Sequence, residues 1–127
     1  MRISMMLAPI AAVLAVAGSV LASPAIADDA ATCNKASGDD AIAACTRVIQ
    51  NRGTSAEGRA IAYYNRGIEY RAKGDDPDRA IADYSEAIRL DPKFANAYIN
   101  RGVAYRAKLE NDRAIADFDE AIASIPS

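Results

Sequence analysis

Residues 63–92 read YYNRGIEYRAKGDDPDRAIADYSEAIRLDP, and residues 98–126 read YINRGVAYRAKLENDRAIADFDEAIASIP. The second stretch repeats the first at an offset of about 35 residues, a period that marks stacked supersecondary units. Each unit opens with large and small residues at helical spacing, Tyr63, Gly67 and Tyr70 in one and Tyr98, Gly102 and Tyr105 in the other. Positions i, i+4 and i+7 share one helix face. Each unit closes with a second such pattern, Ala80, Tyr84, Ala87 and Ile88, matched by Ala114, Phe118, Ala121 and Ile122. Gly67 and Gly102 have no Cβ, so two helices can approach closely there, with Ala80 and Ala114 expected opposite them. Tyr70, Tyr84, Tyr105 and Phe118 are expected to fill the space beside that contact. Asp76-Pro77 predicts an N-cap followed by a first-turn proline, and Asp91-Pro92 predicts a stop, because residues before proline leave the α region.

This order of small and large positions resembles the tetratricopeptide (TPR) repeat, a helix-turn-helix of about 34 residues. Three departures stand out. The interval from Gly67 to Ala80 is one residue longer than that from Gly102 to Ala114, and the extra residue is placed in the turn Gly74 to Asp78. Arg66 and Arg101 stand where the family usually has Leu, and Leu109 where it usually has Gly. The resemblance implies an all-α fold of stacked antiparallel helix hairpins, a TPR-like α-solenoid; an N-terminal signal peptide is expected ahead of it on separate grounds. Full repeats are expected at residues 60–94 and 95–127, within a TPR-like domain spanning 28–127.

The first 27 residues are different material. Arg2 precedes an uncharged run rich in Ala, Val, Leu and Met that ends in Ala25-Ile26-Ala27 before Asp28-Asp29. That layout predicts a secretory signal peptide over residues 1–27 with cleavage after Ala27. An uncleaved membrane helix is the alternative, which the length of the run permits. Removing Arg2 with this segment leaves 14 basic against 17 acidic residues, a net charge of −3 over residues 28–127. Mild acidity with interspersed signs gives no support to nucleic-acid binding. The expected location is periplasmic or secreted, with no membrane attachment after cleavage.

Cys33 and Cys45 are an even pair in a chain directed to an oxidising compartment. Ala41 aligns with Ala80, and Cys45 with Tyr84 and Phe118, so residues 30–50 read as a degenerate first hairpin. A Cys33–Cys45 disulfide would staple its two helices; two buried thiols are the alternative. A redox pair or a metal site fits poorly, since the chain has no C-x-x-C and no histidine. Lack of histidine also removes the commonest general base. No phosphate-binding glycine loop is present. The remaining candidates are Asp75, Asp76 and Asp78 in one turn and Asp117, Asp119 and Glu120 near the end, which N-capping and solvation explain more simply. Neither catalysis nor a metal or cofactor is expected.

The resemblance implies instead a concave groove lined by the first helix of each repeat, which binds an extended peptide or a partner helix. Carried onto this chain, the groove residues are Tyr64, Asn65, Ile68 and Arg71 in the first full repeat. In the second they are Asn96, Ile99, Asn100, Val103 and Arg106. The amides of Asn65 and Asn100 offer donor and acceptor to a peptide backbone, and Arg71 and Arg106 offer forks for a carboxylate. The expected partner is a protein or peptide. Ile115, Ile122 and Ile125 form an apolar strip near Ser127, and a homo-oligomer built through it, as a structural component of the cell envelope, is the alternative reading.

Overall fold

The computed structural model describes residues 24–74 and 76–126. Six helices follow one another: α1 Pro24–Lys35, α2 Gly38–Gln50, α3 Ala56–Lys73, α4 Pro77–Leu90, α5 Ala95–Ala107 and α6 Asn111–Ala123. Among the described residues there is no strand, and no helix is long and apolar enough to cross a membrane. The expected signal segment lies outside the described residues except for Pro24 to Ala27, which open α1.

Local signals act where the sequence places them. Ser55 caps α3 by accepting the Gly58 N–H at 3.0 Å. Asp76 caps α4 by accepting the Asp78 N–H at 2.8 Å, with Pro77 as the first helical residue. Gly74 ends α3 in the left-handed region at φ 73°, a conformation glycine adopts without steric cost. Leu109 adopts the same region at φ 63° and is the non-glycine residue that does so among those described. Gly74 lies seven residues after Gly67, and Leu109 seven after Gly102, so both turns reverse at one register. The additional residue of the first full repeat therefore falls between Gly74 and Pro77, within the expected turn.

Three antiparallel hairpins, α1/α2, α3/α4 and α5/α6, stack so that α3 packs on α2 and α5 on α4. The core runs along the stack and holds Cys33, Ala44, Cys45, Ala60, Ala80, Tyr84, Ala87, Ala97, Tyr98, Ala114 and Ala121. At the close contacts aromatic rings meet the glycines. A Cβ on Gly67 would lie 2.7 Å from Tyr84 Cε1, and one on Gly102 would lie 2.7 Å from Phe118 Cε1. The Tyr84 and Phe118 rings are thus the nearest neighbours of the two glycines, because a ring can lie against backbone that lacks a side chain, and Ala80 and Ala114 are buried in the same hairpins. In α1/α2 the same place is taken by the Cys33–Cys45 disulfide, whose Cα atoms are 4.7 Å apart. The three hairpins thus solve one packing problem twice with glycine and a ring and once with a covalent bond.

The stack is curved. Cα atoms of α3 come within 8 Å of both α1 and α5, whereas α2, α4 and α6 do not approach one another so closely among the described residues. The first helices form the inner side.

Candidate functional site

The residues expected to line a groove lie on α3 and α5, the first helices of the two full repeats. Tyr64, Asn65, Ile68, Asn100 and Val103 are half-buried along α3 and α5, while Arg71, Asn96, Ile99 and Arg106 are exposed. Ile61 and Ile99 are each 39% exposed and Ile68 and Val103 half-buried, so four apolar side chains on α3 and α5 are still reached by water. Exposed Arg71 and Arg106 stand near the C-terminal ends of α3 and α5, where a cation also suits the helix dipole.

The two asparagines are already engaged. Asn65 Nδ2 donates to Asn34 Oδ1 of α1 at 2.8 Å. Asn100 Nδ2 donates to the Tyr64 hydroxyl at 3.0 Å, and Asn100 Oδ1 accepts from Arg71 Nη1 at 3.3 Å. These bonds tie α1 to α3 and α3 to α5 across the groove. Phe94, just ahead of α5, packs its ring 4.8 Å from that of Tyr64 and holds Tyr64 in place. Neither Asn34 nor Phe94 stood out in the sequence, since Asn34 belongs to the degenerate hairpin and Phe94 precedes the repeat pattern.

Beneath the groove the stack is pinned by a device that occurs twice. Arg66 Nε and Nη2 donate to the two carboxylate oxygens of Asp83, each at 2.8 Å, and Nη1 donates to Thr46 Oγ1 at 3.0 Å. Arg101 does the same with Asp117, at 2.8 and 2.7 Å, and with Ser85 Oγ at 3.1 Å. Asp83 and Asp117 are 5% and 4% exposed. Bidentate geometry satisfies both members, which is what makes a buried pair tolerable. Hydrogen bonding to Asp83 and to Asp117 holds the guanidinium groups of Arg66 and Arg101 above their ordinary pKa, against the opposing effect of burial. Tyr63 and Tyr70 flank Arg66 at 5.5 and 5.8 Å from their ring centres, and Tyr98 and Tyr105 flank Arg101 at 5.7 and 5.8 Å. Each arginine thereby joins three helices: its own, the second helix of its hairpin and the second helix of the hairpin before. The signal was an arginine kept at an apolar position in both copies together with an aspartate in both. Asp117, one of the candidate carboxylates, is occupied by this pairing.

The other candidate carboxylates serve the turns and the surface. Asp76 caps α4, Asp78 pairs with Lys108, and Asp119 and Glu120 are exposed on α6; Asp75 lies outside the described residues. Tyr84 is fully buried, its hydroxyl has no hydrogen-bond partner among the described residues, and burial pushes that hydroxyl up to about 12.

A TPR repeat family model matches residues 67–108, and a second tetratricopeptide repeat model matches residues 95–127. The chain is a tetratricopeptide-repeat protein. Among solved structures, this TPR chain is similar to the crystal structure of MamA, with 34% identity and a TM-score of 0.58 over 67% of this chain. The match spans 47% of the MamA chain, about half its length. It is also similar to the second TPR of Spaghetti (RPAP3) bound to the HSP90 peptide SRMEEVD, with 26% identity and a TM-score of 0.67. That match covers 80% of this chain and 88% of the other. A comparison with curated proteins finds no match. TPR architecture and the peptide-bound neighbour support a protein–protein interaction module.

Proposed function

We propose that the chain is a non-catalytic adaptor of the bacterial periplasm that holds an extended peptide or a single helix of a partner protein in the groove of α1, α3 and α5. The observation that carries this reading is the set of accessible apolar side chains Ile61, Ile68, Ile99 and Val103 on α3 and α5, together with exposed Arg71 and Arg106. Such a set takes apolar side chains at alternating or helical spacing, and the arginines favour an acidic residue beside them. The Spaghetti (RPAP3) repeats, bound to an HSP90 peptide, support the peptide form of the reading. Asn65 and Asn100 act here first as struts that keep the groove in shape, and then through whatever bonding capacity the struts leave. The Cys33–Cys45 disulfide supports an oxidising compartment. An adaptor role without chemistry agrees with a chain that has no histidine and commits Asp83 and Asp117 to structural pairs.

Selection of a displayed random-peptide library on the purified chain tests the proposal. Enriched peptides should combine apolar positions with at least one acidic residue, and Arg71→Glu/Arg106→Glu should weaken them about tenfold. Peptides that bind Ile68→Glu and the arginine variants as well as they bind wild type would sink the groove reading.

A further inference from the structure

Three hairpins end in helices that carry one stripe. On α2 it is Ile42, Thr46 and Ile49; on α4, Ile81, Ser85 and Ile88; on α6, Ile115, Asp119 and Ile122. Positions i, i+4 and i+7 form a row along one face. On α2 and α4 every member is half-buried under the following hairpin. On α6 Ile115 is 58% and Ile122 70% exposed, and Asp119 is exposed between them.

The middle residue fixes what the stripe accepts. Thr46 and Ser85 spend their hydroxyl protons on Ile42 O and Ile81 O, each at 2.7 Å. They therefore present an oxygen acceptor to the arginine of the incoming helix, Arg66 or Arg101. Asp119 puts a carboxylate in the same place, an acceptor only, and a stronger one for a guanidinium. The surrounding charge agrees. Asp112, Asp119 and Glu120 are exposed on α6 with no ion pair among the described residues, while Arg113 is held by Glu110 and the last turn has no basic residue.

We propose that the Ile115–Asp119–Ile122 stripe is a docking site for an amphipathic helix of another protein that carries an arginine between apolar residues. A second copy of this chain does not fit. The helix that would continue the stack is α1, and the register set by Cys33, Gly67 and Gly102 puts Asp28 at the place of buried Ala62 and Ala97. Asp29 is neutralised by Arg47, but Asp28 would then face Asp119 and Glu120, and two α6 helices placed face to face would oppose the same acids. Like charges brought together in this way are repulsive. The site lies on the second-helix side and does not depend on the groove.

The test is titration of the purified chain with a synthetic peptide of the sequence of residues 56–73, which in the fold covers the α2 stripe. Isoleucine methyl resonances report the site. Ile115 and Ile122 should shift, and a peptide carrying Arg66→Glu should bind about tenfold more weakly. An Asp119→Arg chain should reverse that preference. Absence of binding, shifts confined to Ile68 and Ile99, or affinity that ignores the charge exchange would overturn the proposal. So would shifts of Ile115 and Ile122 that grow with chain concentration in the absence of peptide, the signature of self-association.

Discussion

Replacing Asp83 by alanine removes both acceptors of the Arg66 fork, two bonds of 2.8 Å each, and leaves a guanidinium only 17% exposed without its counter-charge. Breaking one member of a buried pair costs about 3–5 kcal/mol, and the partial exposure of Arg66 places this case near 3. Against a total stability of about 5–10 kcal/mol for a domain of this size, that is a large fraction. It corresponds to a fall in Tm of about 10–20 °C. Arg66→Leu alone should cost a similar amount, because it strands the Asp83 carboxylate at 5% exposure. Arg66→Leu/Asp83→Leu should return to within about 1 kcal/mol of wild type, since apolar residues replace a buried pair nearly neutrally. Urea and thermal unfolding followed by far-ultraviolet circular dichroism would give the full double-mutant cycle. If Asp83→Ala costs less than about 1 kcal/mol, or the double variant is no better than the singles, the pair behaves as a solvated surface bridge and the pinning argument fails.

Further outcomes follow at Tyr84, at Leu109 and at the disulfide. Tyr84→Phe should be neutral or stabilising by up to about 1 kcal/mol, because it deletes a buried hydroxyl that lacks a partner among the described residues and copies the Phe118 arrangement. The same variant should be less sensitive to alkali. The Tyr84 hydroxyl is raised from 10.0 to about 12 in the fold, so its contribution is complete below pH 10 and lost as pH rises through 12, a loss phenylalanine cannot show in a stability–pH profile. Leu109→Gly should stabilise by about 1 kcal/mol by relieving a left-handed, 82% exposed leucine, measurable as a higher urea midpoint. Cys33→Ser/Cys45→Ser should cost about 3 kcal/mol, the loop-closure value for a separation of 12 residues, and wild type in reductant should approach the same midpoint.

Much of the architecture was legible because each unit spells its own boundaries. Asp76-Pro77 starts a helix, Pro92 follows the end of one, and Gly67 and Gly102 mark where two helices meet. Cys45 could be aligned with Tyr84 and Phe118, so the disulfide could be expected as the equivalent of a packing contact. What covers each glycine was harder to read, since spacing along the chain places both Ala80 and Tyr84 near Gly67 and only the crossing of the helices selects the ring. The Arg66–Asp83 and Arg101–Asp117 pairs span a turn of different length in each copy, 17 and 16 residues, so no fixed interval announces them. Pattern put Asn65 and Asn100 on the inner face. It could not show that Asn34, Tyr64 and Arg71 already engage them, because those contacts join residues about 30 apart in different hairpins.

The groove claim is tested most directly by photocrosslinking in intact cells, with the photoreactive residue at Ile99 on the inner side or at Ala82 on α4. The account predicts a crosslink from Ile99 to a different protein, lost when Ile68→Glu is added, and none of that product from Ala82. Equal capture of the same protein from both positions, or products that contain only this chain, would contradict it.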